Sequence, residues 1–228
     1  MCLRTLAGSS PVESPYIEWV GHGYTVADGL EMRPAEYNWH LNFTRQAGVL
    51  RTLVVGALEL ARPLSYTAGA ESLWIRFRVG TFLPKIRPTT VLNREIELPV
   101  GSGNNFWLSD RVLAIPTFEN ADTFAEHLMP VGALACDPLV DAALRDELAG
   151  VPNRTIRHHF RHSTGLRRGF IRQIRRAQQA VRLLRQGNPP LDTAHELGYS
   201  DQPHLTRSLK RFLGDTPGGI QVSSPQAG

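Results

Sequence analysis

The tightest constraint on this chain is a spaced repeat near its C-terminal end. Ile156, Phe160 and Gly165 recur at the same spacing as Leu205, Leu209 and Gly214, forty-nine residues further on. Two apolar residues one turn apart lie on one face of a helix, and a glycine just beyond them can end that helix in the left-handed conformation. Arg161 and Lys210 hold equivalent places, as do His162 and Arg211. The repeat predicts two copies of one basic helix, apolar on one side only, offering similar edges to one partner.

The second copy sits in the richer context. Leu191 to Leu197 reads as a short helix with Leu191, Ala194 and Leu197 inward. Small Ala194 lets a second helix cross closely, and Gly198 permits a sharp turn. Ser200 or Asp201 then caps a helix to about Leu213, with Pro203 tolerated in its first turn. Leu205, Leu209 and Phe212 form its expected core face, which leaves Gln202, His204, Thr206, Arg207 and Lys210 outward. Such a helix fits the major groove of DNA, where Gln and Arg can make paired contacts to base edges. Lys210 and Arg211 suit phosphates.

In the first copy the corresponding candidates are Arg154, Arg157, His158 and Arg161. Ala149 to Asn153 leaves little room for a helix directly before it. Either the helix opened by Asp137 and Pro138, running to about Leu148, takes that place, or the first motif is degenerate. Between the copies, Phe170 to Gln186 reads as one helix with the stripe Ile171, Ile174, Ala177, Val181 and Leu184. It is expected to set the spacing of the two basic helices, about one turn of DNA if they enter successive grooves.

These residues resemble the AraC/XylS family of transcription regulators. The segments TIRHHFRHSTG (Thr155 to Gly165) and LDTAHELGYSDQPHLTRSLKRFLGDTP (Leu191 to Pro217) carry the likeness, which extends over about Asp137 to Ile220. The resemblance implies an α+β chain of two domains. Residues 135–222 would form an all-α double helix-turn-helix that binds double-stranded DNA, with 223–228 a flexible tail. Residues 1–134 would form a cupin-like β-barrel or sandwich that senses a ligand, mediates dimerisation, or both. The further partners it implies are RNA polymerase, a small-molecule effector and a second copy of the chain.

Charge agrees with that division. From Gly150 onward there are thirteen Lys/Arg against four Asp/Glu, a net +9, whereas the first 149 residues hold twelve against seventeen, a net −5. A strongly basic module points to a polyanion, although charge alone does not separate DNA from RNA or an anionic membrane.

Up to about Pro116 the chain reads as β. Ser72 to Val79 alternates, with Leu73, Ile75, Phe77 and Val79 on one face and Trp74, Arg76 and Arg78 on the other. Similar runs occur at Asn38 to Thr44, Val49 to Leu58 and Val91 to Leu98, with turn formers between them. Near Asn120, which can cap a short helix to Leu128, the texture changes; the domain boundary is placed between Glu119 and Asp137. Aromatic Trp39, Tyr37 and Phe43, with other front-half aromatics, are candidates to line an apolar effector pocket, against the plainer role of core.

The remaining signals are mainly exclusions. Met1 to Pro15 has no sustained apolar core, and no run approaches the roughly 20 apolar residues of a membrane span, so a soluble cytoplasmic protein is expected. Cys2 and Cys136 are the only cysteines, too few for a disulfide framework. His158 and His162 stand one turn apart but among arginines, without a carboxylate or thiol, so neither metal nor cofactor is expected. A cupin-type enzyme with a basic accessory domain would need a catalytic set, and none stands out. A non-sensing DNA-binding adaptor is the other alternative.

Overall fold

The computed structural model describes residues 3–4, 9–11 and 13–222; the expected tail at 223–228 lies outside the described residues. Strands come first: β1 (Leu3–Arg4), β2 (Ser9–Pro11), β3 (Ile17–Thr25), β4 (Gly29–Arg33), β5 (His40–Gln46), β6 (Val49–Val55), β7 (Arg62–Tyr66), β8 (Ala70–Phe77) and β9 (Thr81–Phe82). Helix α1 (Pro88–Val91) precedes β10 (Glu95–Leu98), β11 (Asn105–Leu108) and β12 (Arg111–Ala114). After α2 (Phe124–Leu128) and β13 (Ala135–Cys136) the described chain is helical: α3 (Pro138–Leu144), α4 (Asn153–Thr164), α5 (Arg168–Arg185), α6 (Pro190–Glu196), α7 (Gln202–Leu213) and α8 (Pro217–Val222).

Two compact units share this chain, and not in chain order. The first comprises Met1–Leu30, Tyr37–Ala57 and Ser65–Arg167; the second comprises Glu31–Glu36, Leu58–Leu64 and Arg168–Gly228.

The first unit is built on an antiparallel sheet ordered β1-β3-β8-β5-β6-β10, with β2 also paired to β3. The period-2 pattern of β8 decides its two faces. Leu73, Ile75 and Phe77 are buried on one side, and in register with them β5 contributes Phe43 and Leu41. Against this face pack Phe106 and Leu108 of the β11–β12 hairpin and Phe124 and Leu128 of α2. Phe43 meets Phe106 edge-on at 5.3 Å, a favoured aromatic arrangement. On the opposite face Trp19 folds over Gly21, where an added Cβ would run into the indole. The Arg76 guanidinium sits 5.3 Å from the same ring.

Two local expectations are corrected here. Val91 to Leu98 is not one strand: Pro88 starts the short α1, Asn93 turns the chain at φ 59°, and only Glu95–Leu98 pairs, with β6. Asn120 does not cap α2. Its side chain accepts from the Thr117 backbone N at 2.8 Å and closes a single 3₁₀ turn, Phe118–Asn120.

In the second unit α5 buries Ile171, Ile174, Ala177, Ala180 and Leu184. Ala180 is buried in the stripe, while Val181, expected there, is half-buried at its margin. Helix α6 buries Thr193 and Ala194, while Leu191, expected inward, is 48% exposed. Pro190 occupies the first helical position, so Leu191 falls in the opening turn, ahead of the crossing with α7.

Candidate nucleic-acid interface

Helix α4, in the first unit, is the first repeat copy. Ile156 and Phe160 are buried and Gly165 ends the helix at φ 76°, its N–H donating to the Arg161 carbonyl at 3.2 Å. The end is held tightly. Trp39 Nε1 donates to the Ser163 carbonyl at 2.8 Å, and a Cβ on Gly165 would come 3.1 Å from Pro88. The preceding helix of this motif is α3, which packs on α4. Asp137 joins them: its Oδ1 caps α3 by accepting from the Leu139 N–H, and its Oδ2 lies 2.6 Å from His159 Nδ1.

The outer face of α4 is cationic. Arg154, Arg157, His158 and Arg161 are all exposed, and together with Arg167 they line a concavity of about 540 Å³. Sequence reading missed Arg167, which lies past the helix-ending glycine; its signal was the adjacent Arg167–Arg168 pair. His158 and His162 are stacked at 6.0 Å, and His162 also meets Phe82 edge-on at 5.1 Å.

Helices α6 and α7 form the second motif, within the second unit. Asp201 is the cap, its carboxylate accepting from the His204 N–H at 2.6 Å; Pro203 stands in the first turn. Leu205, Leu209 and Phe212 are buried, and Gly214 closes the helix at φ 74°. Gln202, Arg207, Lys210 and Arg211 are exposed, while His204 and Thr206 are half-buried at the margin of the same face. The Thr206 hydroxyl donates to the Gln202 carbonyl at 3.0 Å, so what it turns outward is a methyl group and an acceptor. The Arg211 guanidinium lies 5.6 Å from the Phe170 ring and 5.1 Å from that of Phe212, which confines it to one edge of the helix.

The last turn of α7 is completed by residues far away in sequence. The Phe212 carbonyl accepts from the Ala35 N–H at 2.7 Å and the Arg211 carbonyl from the Ala61 N–H at 3.0 Å. Helix ends otherwise leave such carbonyls without partners inside the helix.

Elsewhere in the first unit Trp39, Phe43 and Tyr37 are buried, and Trp39 and Phe43 belong to the hydrophobic core. Among the described residues no group of three His, Cys, Asp or Glu is placed to hold a metal ion, and no helix is long and apolar enough to cross a membrane.

Each of the two helix pairs presents an outward-facing basic helix that ends in a left-handed glycine, the arrangement of a helix-turn-helix. Residues 147–221 match the family model described as a helix-turn-helix domain. None of the curated proteins matches the chain. Among solved structures, the crystal structure of ToxT from Vibrio cholerae O395 is similar over 91% of this chain and 98% of that one, at 8% identity and a TM-score of 0.43.

Proposed function

We infer that this chain is a sequence-specific, DNA-binding transcription regulator of the AraC type, in which α7 reads bases and α4 supplies much of the phosphate grip. The observation that carries this reading is the chemistry of the two exposed faces. Helix α7 offers carboxamide, imidazole, hydroxyl and guanidinium groups in one row, the mixed donors and acceptors that distinguish base edges. Helix α4 offers arginine and histidine around a concavity with no carboxylate in its lining, which favours backbone contacts that position the protein without naming a sequence.

In this reading residues 135–222 are the DNA-binding part and residues 1–134 the sensing or dimerising part, and the protein acts in the cytoplasm as a homodimer on paired half-sites, in contact with RNA polymerase. It works by binding rather than by catalysis. A small-molecule effector would act through the β-rich part, whose cupin-like character belongs to the same proposal. An effector site at Trp39, Tyr37 and Phe43 would have to open within packed core.

The test is selection of binding sites from a random duplex library, followed by titration of the recovered sites at two salt concentrations. Enrichment of one or two boxes about a helical turn apart, with a sub-micromolar Kd and steep salt dependence, is expected. Salt-dependent binding with no enrichment would reduce the protein to a non-specific DNA binder.

A further inference from the structure

We propose that His204 reads its base pair as a hydrogen-bond donor only, because Ser200 fixes the tautomer of its ring and Tyr199 fixes the ring's orientation. The assignment rests on the reading of α7 as the base-contacting helix.

One ring nitrogen faces Ser200. His204 Nδ1 lies 3.1 Å from Ser200 Oγ and 3.5 Å from the Ser200 backbone N. A hydroxyl can donate or accept, but a backbone N–H can only donate, so Nδ1 is the acceptor of this pair. A neutral imidazole that accepts at Nδ1 carries its proton on Nε2. The ring plane is fixed as well: it stands at 89° to the Tyr199 ring, with centroids 5.1 Å apart.

Tyr199 is itself clamped. It is 4% exposed, its hydroxyl is 3.2 Å from Ser208 Oγ, and the Arg176 guanidinium lies 4.1 Å from its ring centroid. Arg176 also donates to the Gly198 carbonyl at 3.4 Å, tying α5 to the turn between α6 and α7. Arg176, Tyr199 and Ser200 are thus positioning residues for an imidazole in the first turns of the reading helix. The nitrogen left free of these contacts is Nε2, and it carries the proton.

That polarity has a sequence consequence. In the major groove guanine offers N7 and O6, adenine N7, and thymine O4 as acceptors, whereas cytosine offers only the N4 amino donor. A fixed Nε2–H donor is compatible with the first three and not with cytosine at the contacted position.

Two measurements on the full chain test this. Long-range ¹H–¹⁵N correlation of histidine-labelled protein, with the His204 ring assigned by its loss in His204→Gln, should show the Nε2-protonated pattern; the Nδ1-protonated pattern would overturn the proposal. Selection from a random duplex library should then show one position at which cytosine is depleted by about tenfold. His204→Glu, an acceptor, should make cytosine preferred there. Ser200→Pro, which removes both the backbone N–H and the hydroxyl that face Nδ1, should relax the discrimination at that position, whereas Ser200→Ala, which keeps the backbone N–H, should retain most of it. An enriched site indifferent to His204→Glu sinks the assignment to His204 only. No enriched site with the unsubstituted chain sinks the reading of α7 and this proposal with it.

Discussion

Arg207 and Lys210 stand one turn apart on the exposed face of α7, yet their side chains suit different targets. A planar guanidinium matches the two acceptors of a guanine edge, whereas an ammonium is a point charge best placed against phosphate. Arg207→Ala is therefore expected to cost about 1–3 kcal/mol on the selected site and to relax preference at one base pair, and Lys210→Ala to weaken all duplexes alike and lower the salt slope by about 1. Titration of both variants on selected and scrambled duplexes checks this; equal losses on every sequence would remove base reading from Arg207. Gly214 poses a different question at the same scale. Its φ of 74° penalises any Cβ, and an added Cβ would collide with Met32 Cγ. Gly214→Ala should lower stability by more than the roughly 1 kcal/mol of left-handed strain alone, as read by urea unfolding. Met32→Ala in the same chain should return the part due to collision and leave the strain.

At the scale of elements, Asp137 does two jobs, capping α3 and pairing with His159 of α4. Asp137→Ala should cost at least the ~1 kcal/mol typical of a lost cap, whereas Asp137→Ser, which can still cap, should retain that part and lose the hydrogen bond to His159. A denaturant midpoint unchanged in Asp137→Ala would show that the α3–α4 pair does not need this residue. The capped helices were legible in the sequence because every signal for them is local: apolar spacing of three and four, Asp201 before Pro203, a glycine after the last apolar residue. Leu191 was misread because spacing alone does not say where a neighbouring helix begins to cross. What joins the helices to the strands was not legible at all. Trp39 reads in sequence as one more aromatic in a β segment, and its indole is bonded to a backbone carbonyl 124 residues away. Ala35 and Ala61 carry no signal, since their contribution to α7 is a backbone N–H that any residue but proline would supply. The basic outer faces were readable as charge, but only folding brings Arg167 into one concavity with Arg154, Arg157, His158 and Arg161.

For the whole molecule the decisive fact is that the two copies of the repeated helix fall in different compact units, α4 in the first and α7 in the second, while the chain passes between the units five times. The second unit is therefore not a tail that can melt by itself. Segments Glu31–Glu36 and Leu58–Leu64 belong to it, and they cap α7 through Ala35 and Ala61. Their ends are fixed at Leu30, Tyr37, Ala57 and Ser65 of the first unit. Losing the sheet would release those ends, restore the entropy of two short loops and remove the caps from the last turn of α7. The two units should accordingly unfold together. The tryptophans allow a clean test, because all four, Trp19, Trp39, Trp74 and Trp107, lie in the first unit, whereas α5 to α8 of the second contribute strongly to the helical circular dichroism signal. Urea transitions followed by tryptophan fluorescence and by ellipticity at about 222 nm should coincide within error, as a cooperative transition requires. Replacing Ala35 and Ala61 together by proline removes both capping N–H groups and should separate the curves, with ellipticity falling first. Separate curves already in the unsubstituted chain would mean that α7 stands without its caps.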